Sequence, residues 1–331
     1  MTLLLRPNRT ASVSGPLRDP DNCRVTSAEK VIAVVPTFRP GVDLVDRLRL
    51  IAAQVHSVIV FDDGSGDGSA VVLRSIESAG FELHRGAKNE GIAAALNAAT
   101  RIALERGADF VLTVDQDTVV PADYVSACLS AFAASGINPR VGVVCADRIN
   151  DAPSIPESYT ESGLGIVREA LQSGFLISRL CLETCGLFDQ RLFIDDVDTE
   201  FCLRIELFGF VTVVGPGTSI GHSLGEQALF KPFGRQAFRD GAPATYQYHP
   251  PFRRYFIARN NVDLYFRFIR KRPRWVASSV RRELAPTVKT IISGPHRARQ
   301  LLATIVGVAH GLVRRRGPLS RTLRRLLTPS G

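Results

Sequence analysis

The sequence lacks the short motifs that mark two common classes of nucleotide-binding enzyme. It contains no GxxxxGK[ST] phosphate loop, and no GxGxxG segment follows its first apolar strand. These absences argue against a P-loop nucleotidase and a dinucleotide-dependent oxidoreductase. Its six cysteines are scattered, with no CxxC pair and no nearby histidine to complete a zinc site. We therefore predict buried, reduced thiols.

Long apolar runs are also absent. No stretch reaches the roughly 18 to 20 uninterrupted apolar residues that are needed to cross a bilayer. Residues 3–5 are three leucines, too short for the apolar part of a signal peptide, and Arg6 and Pro7 follow at once. We therefore expect a cytoplasmic protein, with peripheral attachment at the inner face of the cell membrane as a further option.

Charge is unevenly distributed along the chain. The formal net charge is +9, yet residues 267–331 hold 16 Lys or Arg against a single acid, Glu283, and the remainder is net acidic. Such a segment suits nucleic acid, anionic lipid or simple solvation. Its aromatic residues, Phe268 and Trp275, are too few for a base-stacking surface. No nucleic-acid partner is therefore expected, and an anionic membrane surface is preferred.

The composition, 45% hydrophobic and 22% charged over 331 residues, is that of a globular protein. Three parts can be distinguished. Residues 1–29 are predicted to be a polar leader, 30–265 the main domain, and 266–331 a basic helical extension for a membrane surface or another interaction.

The main domain should be an α/β fold. Apolar, largely β-branched runs at residues 31–35, 57–61 and 110–114, with a short one at 81–84, alternate with segments of helical periodicity. This alternation predicts a mostly parallel sheet wrapped by helices. Ligands bind such sheets beyond the carboxyl ends of the strands.

The segment Asp115-Gln116-Asp117 ends one of these strands with two carboxylates. Two neighbouring acids repel each other unless a cation lies between them. Mg²⁺ or Mn²⁺, which prefer oxygen ligands, could bridge them to a diphosphate. The alternative is an exposed loop that caps the next helix.

Three further groups could take part in chemistry. Asp195, Asp196 and Asp198 could supply a general base or could cap a helix. His222 is either structural or completes a metal site with Asp117. The basic groups that could hold phosphate oxygens, or form only a charged helix face, are Arg253, Arg254 and Arg259.

Together these segments resemble the family 2 glycosyltransferases of the GT-A fold, and within them the bacterial rhamnosyltransferases. The resemblance extends over about residues 31–261. The matching pieces are Val35-Pro36-Thr37-Phe38, Phe61-Asp62-Asp63-Gly64-Ser65, Asn89-Glu90-Gly91-Ile92-Ala93, Leu112-Thr113-Val114-Asp115-Gln116-Asp117, Gly174-Phe175-Leu176-Ile177, Gly186-Leu187-Phe188-Asp189, Phe193-Ile194-Asp195-Asp196-Val197-Asp198 and Arg254-Tyr255-Phe256-Ile257-Ala258-Arg259-Asn260.

The resemblance implies a GT-A fold, a Rossmann-like nucleotide-diphospho-sugar transferase domain, and residues that hold the donor. The implied nucleotide contacts are Thr37, Asp62, Asp63, Asn89, Asp115 and Gln116. The implied ligands of a divalent cation, Mn²⁺ or Mg²⁺, are Asp115, Asp117 and His222.

The resemblance also implies a catalytic base in the second acidic group. Asp196 matches the position that most often carries the base, with Asp195 second and Asp198 as the remaining candidate.

The implied activity is an inverting transfer of L-rhamnose from dTDP-L-rhamnose to a cell-envelope polysaccharide or a lipid-linked glycan. UDP-galactofuranose is an alternative donor, because galactofuranosyltransferases share a similar acidic cluster followed by a histidine. An alternative of another class is a non-catalytic protein that binds a nucleotide-sugar or a glycan. The oligomeric state is left open.

Overall fold

The computed structural model describes residues 29–136, 138–223 and 226–328. All but the last residue of the expected polar leader, including Cys23, lie outside the described residues. The five other cysteines are buried and free, as predicted from their scatter. In the described ranges, no helix is both long and apolar enough to cross a membrane.

The strands are β1 (Val31–Thr37), β2 (Ser57–Asp62), β3 (Glu82–Arg85), β4 (Phe110–Thr113), β5 (Arg140–Ile149), β6 (Ala152–Pro153), β7 (Ser158–Tyr159), β8 (Gly165–Val167), β9 (Phe175–Ser178), β10 (Phe210–Ile220), β11 (Glu226–Leu229), β12 (Phe238–Arg239), β13 (Ala242–Pro243) and β14 (Thr245–Tyr248). The α-helices are α1 (Leu44–Ala52), α2 (Ala70–Ser78), α3 (Ile92–Glu105), α4 (Tyr124–Ala134), α5 (Arg179–Cys185), α6 (Val197–Glu206), α7 (Pro251–Phe268), α8 (Pro273–Ser293), α9 (Arg297–Leu312) and α10 (Arg321–Leu327).

The central sheet has the strand order β3-β2-β1-β4-β9-β5-β10-β8-β7, with β6 paired to β5. Strands β1 to β4 pair in parallel, as do β5 and β10. Strand β9 runs antiparallel to both of its neighbours, β4 and β5. The predicted α/β class, a mostly parallel sheet wrapped by helices and followed by basic helices, is confirmed.

Strand β1 shows why the sheet is covered on both faces. All seven of its residues are buried. Val31, Ala33 and Val35 belong to one hydrophobic cluster with α1, α2 and α4. Ile32 and Val34 belong to a second cluster on the opposite face with α3, α5 and α6. A strand buried on both faces reads as the unbroken apolar run seen in the sequence.

Two connections bring distant segments to the carboxyl end of β4. Because β9 is antiparallel, its first residues lie beside the last residues of β4, and the Gly174 N–H donates to the Thr113 carbonyl at 2.7 Å. An isolated bridge pairs Val119 with Gly221. The residues that precede β9 and the residue after Gly221 therefore reach the same edge of the sheet.

The C-terminal helices pack on the main domain. Helix α7 runs unbroken through residue 265, and α9 crosses it at two glycines. A Cβ atom on Gly307 would lie 2.6 Å from the Tyr255 carbonyl oxygen, and one on Gly311 would lie 2.7 Å from that of Arg259. Only glycine permits this close approach of the two backbones.

Candidate active site

A cleft of about 850 Å³ opens at the carboxyl ends of β1 and β4. It is lined by ten of the eleven site residues predicted from the sequence: Thr37, Asp63, Asn89, Asp115, Gln116, Asp117, Asp195, Asp196, Asp198 and His222. Asp62 is buried behind this wall, where its carboxylate accepts hydrogen bonds from the backbone N–H and the hydroxyl of Ser65. Its contacts therefore stabilise the turn after β2.

Asp63 fixes the loop that carries Asn89. Its carboxylate accepts the backbone N–H groups of Glu90 and Gly91, both at 2.8 Å. Burial raises the pKa of Asp63 to about 6, although these two hydrogen bonds oppose the shift. Asn89 is thereby held in the cleft wall just before α3.

Gln116 is tied to the end of β1. Its Oε1 atom accepts the Thr37 hydroxyl at 2.6 Å and the Phe38 N–H at 3.0 Å. Its Nε2 atom donates to the Phe38 carbonyl at 3.2 Å. This amide therefore closes the gap between β1 and the loop after β4, and it fixes the backbone between the two aspartates that flank it.

Asp115, Asp117 and His222 form a candidate metal site. One ligand atom from each lies within 4.8 Å of the others, and Asp117 Oδ1 is 3.6 Å from His222 Nδ1. Burial, followed by the charge of Asp117, raises the pKa of Asp115 to about 7. Such an uncompensated carboxylate pair with an imidazole fits a divalent cation, which would favour the ionised acids.

A chain of hydroxyl groups supports this site from behind. The Asp115 N–H donates to Ser173 Oγ at 2.9 Å, and Ser173 Oγ lies 2.7 Å from Thr118 Oγ1. Thr118 Oγ1 in turn lies 2.8 Å from His222 Nδ1. This hydrogen bond at Nδ1 orients the imidazole ring of His222.

The acidic loop before α6 has an unusual backbone. Phe193, Asp195 and Asp196 all adopt left-handed conformations, with φ of 69°, 63° and 58°. Asn260 of α7 holds this loop, because its Nδ2 donates to the carbonyls of Ile194 at 2.8 Å and Asp195 at 2.9 Å. Strain of this kind persists only where the surroundings fix it, and it concentrates at functional sites.

The loop also contacts the segment that precedes α3. Gly91 has φ of 98°, and a Cβ atom there would lie 2.3 Å from the Phe193 carbonyl oxygen. Gly91, directly before α3, and the loop that carries the acids are therefore in backbone contact.

The three acids of this loop have different surroundings. Asp195 forms an ion pair with Arg253, and Asp198 accepts the Thr199 N–H at 2.8 Å. Burial raises the pKa of Asp198 to about 6. Asp196 Oδ2 is buried and has no hydrogen-bond partner among the described residues. Burial, followed by the charges of Asp195 and Asp198, raises the pKa of Asp196 well above its usual range.

The basic residues singled out in the sequence divide into two kinds. Arg253 and Arg254 line the cleft, and Arg254 donates to Thr287 Oγ1 at 3.0 Å. Arg259 instead donates to the Leu192 carbonyl at 2.7 Å, below the acidic loop. Arg259 therefore fixes the backbone at Leu192 and is not among the residues that line the cleft.

Several lining or supporting residues were not predicted from the sequence. The carboxamide of Gln172 donates to Asp115 Oδ1, next to Ser173. A signal was present, since a polar pair stands directly before the apolar run of β9, but only an antiparallel strand places it here. From the C-terminal helices, α8 adds Glu283, Pro286 and Lys289 to the cleft wall.

Comparison with known proteins shows sequence similarity to one family of transferases. Residues 32–192 match the family model described as glycosyl transferase family 2. The chain is 27% identical over 246 residues to a protein named dTDP-rhamnosyl transferase RfbF from Shigella flexneri. That alignment covers 70% of this chain and 78% of RfbF.

Solved structures show weaker likeness. TarS 1–349 of S. aureus in complex with UDP-GlcNAc is 16% identical with a TM-score of 0.46, covering 86% of this chain and 72% of that one. A GalNAc-T7 structure with UDP, GalNAc and Mn²⁺ is 12% identical with a TM-score of 0.48, covering 59% of this chain. The chain spans 44% of the GalNAc-T7 chain and 44% of a longer TarS chain, to which it is 15% identical with a TM-score of 0.45.

Because these TM-scores lie below 0.5, the comparison rests on the two sequence matches. Both agree with the order of the motifs along the chain. Residues 32–192 therefore match the glycosyl transferase family 2 model, and the chain is similar over most of its length to a protein named as a rhamnosyl transferase.

Proposed function

We propose that this protein is an inverting glycosyltransferase that transfers L-rhamnose from dTDP-L-rhamnose to a glycan or lipid-linked glycan of the cell envelope. The observation that carries the proposal is the shared cleft, which is lined both by Asp115, Asp117 and His222 and by the acids Asp195, Asp196 and Asp198. The similarity to RfbF supports rhamnose as the sugar.

The chain's own residues divide the work of the reaction. When bound at Asp115, Asp117 and His222, Mn²⁺ or Mg²⁺ supplies positive charge to the diphosphate leaving group. Thr37, Asp63 and Asn89 shape the nucleotide side of the cleft. The Asp196 carboxylate accepts the proton of the acceptor hydroxyl as this attacks the anomeric carbon from the face opposite the nucleotide.

Asp196 is favoured over its neighbours because its oxygen is free of competing partners. Asp195 is committed to Arg253 and Asp198 to the first turn of α6. A carboxylate whose pKa is raised by burial is also the stronger base once it is ionised.

The test measures release of nucleoside diphosphate and free sugar from dTDP-L-rhamnose and from UDP-galactofuranose, with and without Mn²⁺. Asp117→Asn should abolish metal-dependent turnover, whereas Asp123→Asn, an exposed acid nearby, should not. Full activity of Asp117→Asn would contradict the metal role. Turnover of UDP-galactofuranose alone would favour that donor, and binding without turnover would favour a non-catalytic nucleotide-sugar or glycan-binding protein.

A further inference from the structure

Helices α8 and α9 each expose a stripe of large aliphatic side chains. On α8 the exposed residues Val280, Leu284 and Val288 recur at intervals of four. On α9 the exposed residues recur at intervals of four, three and four: Leu301, Ile305, Val308 and Leu312. At 100° per residue, each set falls on one side of its helix.

The opposite side of each helix is committed to the protein. On α9 the buried residues are small or polar, and Gly307 and Gly311 contact α7. On α8, Glu283 and Lys289 line the cleft, and at 100° per residue both fall outside the arc of the apolar stripe. The stripes therefore have no partner within the described chain, although they are as apolar as a core face.

Cations surround both stripes. Arg281 is exposed beside the α8 stripe. Arg297 is exposed one turn before Leu301, and Arg314 and Arg315 are exposed just beyond the last turn of α9. An apolar stripe bordered by arginine is the arrangement that partitions into the boundary between lipid headgroups and acyl chains.

We propose that these two stripes form a docking surface for an anionic lipid bilayer. A second copy of the chain is disfavoured as the occupant, because two such cationic faces would repel each other. Nucleic acid is disfavoured because its phosphates are bound by cationic side chains, and exposed aliphatic side chains do not contribute to that electrostatic contact. A bilayer with anionic headgroups satisfies both the arginines and the apolar side chains.

This surface gives α8 two functions. One side faces the bilayer while the other forms a wall of the cleft beside Arg254. If the proposed function holds, the arrangement favours an acceptor that is anchored in the same bilayer, because its glycan then has only the width of one helix to pass.

The test is co-sedimentation of the full chain with vesicles of phosphatidylcholine and phosphatidylglycerol, compared with phosphatidylcholine alone. The variant carries both Leu284→Glu and Ile305→Glu, at side chains that are 64% and 57% exposed. The matched control is Val71→Glu, at a helical residue that is 71% exposed on the main domain. Circular dichroism checks that all three proteins are folded.

We expect the wild type and Val71→Glu to bind anionic vesicles. The double variant should bind them with an affinity at least about tenfold lower, because charged side chains replace apolar ones at the contact. Equal vesicle binding by the double variant would overturn the proposal. So would a wild type that fails to bind vesicles but forms a dimer, or retains duplex DNA, through the same two residues. Hydrolysis of the donor in solution is measured in parallel, so a protein that binds vesicles without turnover would refute the proposed function and leave this surface intact.

Discussion

Arg253 forms an ion pair with Asp195 of the acidic loop, and this contact gives two adjacent acids different surroundings. The Asp195 carboxylate is occupied by the guanidinium group. The neighbouring Asp196 carboxylate keeps one oxygen without a partner among the described residues. The two aspartates are chemically identical, but only Asp196 keeps a carboxylate oxygen that could accept a proton without first breaking an ion pair.

We predict that Asp196→Asn lowers kcat by about a hundredfold to ten-thousandfold, because the general base is lost. Donor affinity should change little, since the amide keeps the shape of the side chain. Asp195→Asn should instead lower the melting temperature, because Arg253 would lose its partner. Steady-state kinetics and thermal unfolding of both variants check this. Normal turnover by Asp196→Asn, with loss in Asp195→Asn or Asp198→Asn, would assign the base elsewhere.

Binding of Mn²⁺ should depend on pH through Asp115, whose pKa is raised to about 7. Below that value the acid holds a proton that must leave when the cation binds, so affinity should fall about tenfold per pH unit. Above it, affinity should level off. The pKa of His222 is lowered by burial, so the imidazole is already neutral and adds no further step near neutral pH. Titration calorimetry with Mn²⁺ at several pH values measures this, and a flat profile would exclude Asp115 as a ligand.

The same shift predicts how stability responds to pH. The folded-state pKa of Asp115, about 7, lies above its ordinary value of 3.8. Between these two pH values the folded protein therefore carries a proton on Asp115 that the unfolded chain has lost. The contribution of this group to the free energy of unfolding therefore falls as pH rises through that window. Added Mn²⁺ should raise the melting temperature more at pH 8 than at pH 6, with Asp115→Asn as the control that removes the difference.

Thr118→Val should lower Mn²⁺ affinity about 10- to 100-fold, the usual cost of removing a group that orients a ligand. The methyl group that replaces the hydroxyl cannot hydrogen-bond His222 Nδ1, so the ring loses its fixed orientation. Ser173→Ala should act in the same direction. Ser126→Ala is the control, because its exposed hydroxyl bonds only to the Asp123 carbonyl of its own helix. Unchanged affinity in Thr118→Val would remove the hydroxyl chain from the account of this site.

Gly307→Val should lower the free energy of unfolding by about 1–3 kcal/mol, because its Cβ would collide with the Tyr255 carbonyl. Ala309→Val is the control, since Ala309 is exposed on the same helix. Urea denaturation compares the two. Equal destabilisation would mean that the added β-branch, not the contact between α7 and α9, is responsible.

The sequence was sufficient for the parallel half of the sheet. Strand β1 is buried on both faces, so its apolar run could be recognised without any partner, and Asp115 could be placed at a strand end. Gln172 and Ser173 could not be placed, because periodicity does not reveal that β9 runs antiparallel beside β4. Strand direction is decided by long-range pairing.

The acidic loop marks a second limit. The order Asp195, Asp196, Asp198 was visible, but the ion pair that distinguishes them involves Arg253, more than fifty residues away. The left-handed backbone is likewise imposed by Asn260, through carbonyl contacts that leave no local signature. A positive φ is uncommon for any residue other than glycine, so the sequence alone predicts a plain helix cap.

The missing side chain of Gly91 has a consequence for how two parts of the cleft move. The Phe193 carbonyl lies 2.3 Å from where a Cβ atom of residue 91 would be, so no flexible side chain separates the segment before α3 from the acidic loop. A displacement of either backbone must be transmitted to the other. The segment with Asn89, which we propose as a nucleotide contact, and the acidic loop with Asp196 are therefore coupled through direct contact between two main chains.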